Sequence, residues 1–482
     1  MTERYVCVHG HFYQPPRENP WTGLVDEEAS AAPWHDWNER ITDECYAPNA
    51  APPSTYERIS FDVGPTLMEW LGRHRPDVHR GIVDGDAAAA GRSGGRGGAI
   101  AQAYNHMILP LANERDRRSQ VRWGAADFEH RFGRRPEGMW LPETAVDLAT
   151  LETLADEGIR FTVLAPRQAD QVRFADADAW SPAEDGMAQA GAYRQVLPSG
   201  RDIALFFYDG DLSRAVAFDG LLHDGDEYAR RLRTAAEAGS EPRLVSVATD
   251  GESYGHHHAH GEMALARALD EVDRDPAVNL TTFAAYLDRH PPRADVRILE
   301  DSSWSCAHGV SRWTGACECG LRDGGSVSWR QPLRDALDGL RDALALRFEQ
   351  AGESLLRDPW AARDDYIRCL LDPSPNVRED FLAAHGTSRS SGESVFALLE
   401  QQRYAMLMFT SCGWFFDDPD GLEPRQVLRY AARALDVSRG GPATASIIHD
   451  FQLTLGPLAS LYSRIIDEDR PPGEAGVSWQ AP

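Results

Sequence analysis

Lysine does not occur in this chain: all 49 basic residues are arginine, set against 75 carboxylates for a net charge of -26. A surface this acidic lacks the basic footprint that nucleic acids and anionic membranes require, so neither partner is expected. Long apolar runs are missing as well, none approaching the roughly 18 residues of a membrane helix. Cysteine is scarce, and its seven scattered residues do not suggest a disulfide framework. Met1-Thr-Glu-Arg carries neither a basic leader nor a small-residue cleavage site, so a cytoplasmic location is expected. The missing lysine fits a GC-rich genome or a salt-adapted cytoplasm. The second, halophilic reading is preferred, because carboxylates keep a protein hydrated while salt screens their repulsion.

What remains is globular material. The chain has 482 residues, 42% of them hydrophobic, with 13 Trp and 17 Phe, enough for two or three domains. Short apolar runs, Tyr5–Val8, Gly138–Leu141, Phe161–Leu164, Ile203–Tyr208 and Leu244–Ala248, alternate with helical patterns at 64–73, 146–157 and 228–238. That alternation predicts βα units and a mostly parallel sheet. Helical periodicity then dominates, as at 331–351 and 393–409, and strand signals fade. Residues 85–98 read as one flexible, low-complexity loop, and 438–443 as a weaker break.

The predicted strands end in polar residues: His9-Gly-His11, Pro142-Glu-Thr144, Asp209-Gly-Asp211 and Asp250-Gly-Glu252. In a parallel sheet all strand C-termini share one face, so these distant segments are expected to converge. Two carboxylates placed so suit acetal chemistry, in which one attacks or stabilises C1 and the other protonates the leaving oxygen. Strand-end acids also cap following helices, a competing explanation that stays open on these grounds for Glu143 and Asp250 as well as for Asp209, Asp211 and Glu252. Histidines gather near the same ends: His9, His11, His106, the run His256–His258, and His260. They could bind a metal, as in deacetylase-like hydrolases, or hydrogen-bond sugar hydroxyls. Cys306-Ala-His308 and Cys317-Glu-Cys319 supply four soft ligands. Their Cys-x-Cys spacing is tighter than the usual zinc pattern, so reduced thiols are the preferred reading. Trp21, Trp140, Trp304, Trp313 and Trp414 stand beside polar motif residues and could serve as sugar platforms. No G-x-G-x-x-G after a strand, Walker loop or G-x-S-x-G elbow occurs.

Five ordered segments resemble glycoside hydrolase family 57. They are Val8-His-Gly-His-Phe-Tyr-Gln-Pro-Pro16, Tyr104-Asn-His-Met-Ile-Leu-Pro-Leu111, Gly138-Met-Trp-Leu-Pro-Glu143, Thr249-Asp-Gly-Glu-Ser-Tyr-Gly255, and Ser302-Ser-Trp-Ser-Cys-Ala-His-Gly309 with Trp313. Asp358-Pro-Trp-Ala-Ala-Arg-Asp-Asp-Tyr366 and Met408-Phe-Thr-Ser-Cys-Gly-Trp-Phe-Phe-Asp417 resemble the subgroup with an additional C-terminal domain of unknown function. Asp62 stands where the family pattern has Asn, and Arg96 where it has His.

The resemblance implies an α/β fold, a distorted (β/α)7 barrel over residues 1–295, followed by a mainly helical domain over 296–482 that stops short of its relatives' length. It implies a retaining hydrolase or transglycosylase acting on an α-glucan-type poly- or oligosaccharide. Glu143 would be the nucleophile and Asp250 the general acid/base. His9, His11, His106, Trp140, Glu252, Trp304, His308 and Trp414 would bind substrate, with no catalytic metal or cofactor. Two alternatives stand beside it: a metal-dependent carbohydrate deacetylase-like hydrolase, and a catalytically silent glucan-binding protein.

Overall fold

A computed structural model describes residues 3–174, 179–183, 191–238, 242–321, 326–438 and 442–471. The chain divides into two compact units. The first comprises Met1–Gln14, Glu27–Ala103 and Phe128–Ser305; the second comprises Pro15–Asp26, Tyr104–Asp127 and Cys306–Pro482. The division thus falls at 305/306 rather than at 295/296, and two early segments join the helical unit. The later boundary has a local cause: residues 299–305 are tied to the first unit, with Val146 N donating to Ser302 O at 3.0 Å and Trp304 N to Glu143 O at 3.0 Å.

Among the described residues, twelve strands lie in the first unit: β1 (Arg4–Phe12), β2 (Ser60–Val63), β3 (Ala101–Gln102), β4 (Met139–Trp140), β5 (Phe161–Leu164), β6 (Ala169–Phe174), β7 (Ser181–Pro182), β8 (Ala192–Val196), β9 (Asp202–Phe207), β10 (Arg243–Asp250), β11 (Asn279–Leu280) and β12 (Ala294–Ile298). Their ladders form three sheets, one of four strands around β1, one of six containing β5 and β9, and the pair β3–β4. Single parallel bridges, Phe61–Ala99 and Gly138–Phe161, link the sheets. Every pairing along the run β10–β1–β2–β3–β4–β5–β9 is parallel, as the alternating pattern predicts. The pairings of β8 with β9 and of β6 with β12 are antiparallel.

β1 is buried along nearly its whole length, the signature of a parallel strand covered on both faces. One apolar cluster joins Tyr5, Cys7, Trp140, Phe161, Val163, Phe206, Ala248 and Phe283. Because the side-chain period of a strand is two, Tyr5 and Cys7 feed this core and the same side of β1 continues into His9 and His11. Gly251 is required immediately after β10, since a Cβ there would lie 2.3 Å from the Phe12 ring.

The second unit is helical. Its longest helix, Arg330–Leu355, buries Leu333, Leu337, Leu340, Leu344 and Phe348 along one stripe, the spacing an amphipathic helix needs. Inside it Arg363 donates to Asp116 at 2.6 Å and to Ser119 at 2.9 Å, both ends of the ion pair being buried. The expected loop at 85–98 is helical as far as Arg92. Ala87–Ala90 favours helix, and Gly85 lets it approach Tyr56, whose Cβ lies 2.6 Å from where a Gly85 Cβ would stand. Of the weaker break at 438–443, residues 439–441 lie outside the described residues.

Candidate active site

Strand register assembles the site. In the parallel ladders His11 lies opposite Asp250 of β10 on one side and Asp62 of β2 on the other, and His9 lies opposite Ser60. Gln102 of β3 lies opposite Trp140 of β4. Residues as far apart as His11 and Asp250, 239 positions, therefore meet at one set of strand ends.

Asp62 is fully buried and holds both histidines: its Oδ1 lies 3.0 Å from His9 Nε2 and its Oδ2 lies 2.8 Å from His11 Nδ1. Gln102 Nε2 donates to the same Oδ2 at 2.7 Å. Burial pushes His11 down, but Asp62, with Asp250 and Glu252 further off, carries it up to about 9. Burial dominates at His9 and lowers it. Asp62, despite its burial, is held below the usual carboxylate range by His11 and His9. The pair is thus an imidazolium and a carboxylate beside a neutral imidazole at neutral pH.

Trp140 is not an open sugar platform. It is fully buried, stacked on His9 at 4.8 Å and His11 at 5.0 Å, with Trp304 edge-on at 5.2 Å. Its indole backs the two histidines and fixes their ring planes.

Glu143 follows β4 on a tight turn in which both it and Thr144 are left-handed, at φ 57° and 49°. Each such non-glycine residue costs about 1 kcal/mol, so the surrounding bonds must hold the turn. Gln168 does so: Thr144 Oγ1 donates to its Oε1, and its Nε2 donates to Thr144 O, both at 2.8 Å. The Glu143 carboxylate is half-buried. Its Oε2 accepts from Ser305 Oγ at 2.5 Å and from Trp304 Nε1 at 3.2 Å. Desolvation raises its pKa, Ser305 opposes that, and the charge of Asp250 raises it further. Asp250 remains exposed to solvent at its strand end, yet the protein around it raises its carboxyl, with His11 opposing.

Glu252 is buried, and its Oε1 accepts from Tyr46 Oη at 2.5 Å and Tyr13 N at 3.1 Å. Desolvation pushes it up to about 7. Asp209 is a helix cap, accepting from Leu212 N at 3.0 Å. The histidine run has separate partners: His256 with Glu44, and His258 with Ala217 O.

Three expected substrate-binding residues belong to the second unit. His106 is buried with Nδ1 2.6 Å from Ser411 Oγ. Trp414 is 1% exposed and its Nε1 donates to Arg330 O, so it packs that unit and offers no open face. His308 Nδ1 lies 3.2 Å from Cys319 Sγ. Among residues not picked out as site residues from the sequence, Asp62, Gln102 and Ser305 bond the histidines and the nucleophile candidate. The departure at Asp62 from the family's Asn was the available signal for the first.

Comparisons with known proteins bear on the family and the fold. The glycosyl hydrolase family 57 model matches residues 87–298, and the domain of unknown function DUF3536 matches residues 326–456. The alpha-amylase of Pyrococcus horikoshii is 22% identical over 263 residues, covering 52% of this chain and 37% of its own length. That of Pyrococcus furiosus is 22% identical over 284 residues, covering 55% and 39%. The match thus spans about two fifths of these curated relatives. Among solved structures, an exo-type maltose-forming amylase from Pyrococcus sp. ST04 superposes with a TM-score of 0.72 at 14% identity, covering 96% of this chain and 83% of that one. A branching enzyme from Pyrococcus horikoshii gives 0.58 at 16% identity, covering 97% and 95%. At such identities the likeness is one of fold: α/β, with a helical C-terminal part. In sequence, the chain thus carries a segment matching glycosyl hydrolase family 57 at residues 87–298, followed by one matching DUF3536 at residues 326–456.

Proposed function

We propose that this chain is a retaining α-glucan-acting glycosidase or transglycosylase, with Glu143 as nucleophile and Asp250 as general acid/base. The observation that carries the reading is the Glu143 carboxylate, held on a left-handed turn by Ser305 and Trp304 and close enough to Asp250 to feel its charge. The names of its structural relatives, maltose-forming amylase, 4-alpha-glucanotransferase and branching enzyme, supply the substrate class.

Glu143 attacks C1 while a protonated Asp250 delivers its proton to the departing oxygen, giving a covalent glycosyl-enzyme. Asp250, now ionised, takes a proton from water or from an acceptor sugar hydroxyl, which displaces Glu143 and restores both carboxyls. Raised by its surroundings, Asp250 suits the acid role, and the two hydrogen bonds on Glu143 Oε2 favour the ionised nucleophile. His11 acts on both carboxyls as a fixed positive charge, oriented by Asp62.

The same proposal takes the run β10–β1–β2–β3–β4–β5–β9 as a distorted (β/α)7 barrel. Support comes from the unbroken parallel order and from the bond Asp209 N to Ser246 O at 2.7 Å, which ties the end of β9 to β10. Its acidic chain suits a cytoplasmic enzyme working on neutral sugar.

A mechanism-based fluorosugar, followed by peptide mass spectrometry, tests the assignment. The label is expected on Glu143, and Glu143→Gln is expected to bind maltodextrin without turning it over. Labelling at another residue, or near-normal turnover in Glu143→Gln, overturns it.

A further inference from the structure

We propose that Cys306, His308, Cys317 and Cys319 form a tetrahedral zinc(II) site that cross-links the entry loop of the helical unit. One ligand atom from each of the four lies within 4.8 Å of all the others. The Cys306 and Cys317 sulfurs are 3.8 Å apart. With zinc–sulfur bonds of about 2.3 Å, a tetrahedral site places two thiolate sulfurs about 3.8 Å apart. His308 Nδ1 and Cys319 Sγ are 3.2 Å apart, a few tenths of an ångström inside the edge expected from a zinc–nitrogen bond of about 2.0–2.1 Å. Closure therefore needs only small side-chain adjustments. Three thiols and an imidazole form a donor set that selects zinc, and the closed Cys3His type is a structural one.

The backbone holds these residues in place from both sides. The loop contains a 3-10 turn, Ser311–Trp313, at whose end Trp313 is buried and donates from Nε1 to Ser411 O at 3.1 Å. At the far end Arg330, fully buried, donates to Cys319 O at 2.5 Å and to Phe416 O at 3.2 Å. Gly315, at φ +76°, passes so close to the long helix that a Cβ would lie 2.4 Å from Gln331 N. The tight Cys-x-Cys spacing thus imposes no misfit, because the ligand atoms of Cys317 and Cys319 already lie within 4.8 Å of each other and of the other two, while Arg330 holds the Cys319 carbonyl. On binding, three thiol protons leave to solvent and three sulfur lone pairs and the Nδ1 lone pair bond the metal. The resulting centre carries one net negative charge beside the Arg330 cation.

The test uses the full chain, expressed with zinc in the medium, desalted, and measured for metals by inductively coupled plasma mass spectrometry. About one zinc per chain is expected, falling roughly tenfold in Cys317→Ser/Cys319→Ser. Should that variant fail to fold, wild type exchanged with cobalt(II) is expected to show thiolate charge-transfer and intense tetrahedral d–d bands. The proposal is overturned by wild type that remains metal-free after zinc reconstitution, by stoichiometric zinc unaffected by the substitutions, by iron in place of zinc, or by a Cys306–Cys317 disulfide in freshly isolated protein.

Discussion

Ser305 Oγ donates to Glu143 Oε2 at 2.5 Å, across 162 positions of sequence. The bond opposes the desolvation that raises Glu143 and so keeps a half-buried carboxylate available as an anion. Ser305→Ala is expected to move the acidic limb of the kcat/KM profile to higher pH. Because a hydrogen bond to a charged group is worth about 1.5–3 kcal/mol, the rate below that limb should fall by about tenfold or more. An unmoved limb with a lower plateau would assign Ser305 a packing role instead.

The His11–Asp62 pair contributes a separate pH signature. The folded-state pKa of His11, about 9, lies above its ordinary value of 6.5. Its stabilisation is therefore complete below pH 6.5 and is lost as pH rises through 9. Over that window the loss amounts to at most about 3 kcal/mol. Asp62→Asn keeps the acceptor and removes the charge, so its melting temperature should start lower and stay flat from pH 6.5 to 9. A wild-type decline retained in Asp62→Asn would assign it to another group.

Glu252 acts in a lower window. Raised to about 7 by burial, it makes the fold bind a proton more tightly than the unfolded chain does. Stability then falls as pH climbs from about 4.5 to 7, again by at most about 3 kcal/mol. Glu252→Gln is expected to flatten that decline in calorimetric scans while leaving the alkaline one intact.

Salt dependence follows from the charge of -26. Self-repulsion acts over about 30 Å at 0.01 M salt and about 3 Å at 1 M. The melting temperature should therefore climb steadily with KCl into the molar range, with activity following. A flat curve from 0.1 to 2 M would return the missing lysine to genome composition alone.

Glu143 and Asp250 stand out in the sequence because each ends a short apolar run, and the family resemblance is what sets them apart from the other strand-end acids. Asp62 could not be given its role in that way, since it depends on β2 pairing in register with β1. β3 and β4 are two residues long, too short for any periodic signal, and Gln102 rides on one of them. Trp140 was expected to hold sugar because its chain neighbours are polar motif residues. Burial under His9 and His11 is a property of the packed core, and sequence adjacency does not report it. Ser305 was hidden for the opposite reason: its partner lies on a different segment, and a lone serine carries no motif.

Trp304 gives the site a voice of its own. Its indole N–H donates to the same Glu143 oxygen that Ser305 holds, so the ionisation of the nucleophile is written into an indole resonance. Among the 13 tryptophans, that one 15N–1H cross-peak would titrate with Glu143 and vanish from the spectrum in Trp304→Phe. Covalent capture of a sugar on Glu143 would move it again, so the progress of a single turnover could be followed by the protein's own side chain, without a chromogenic substrate.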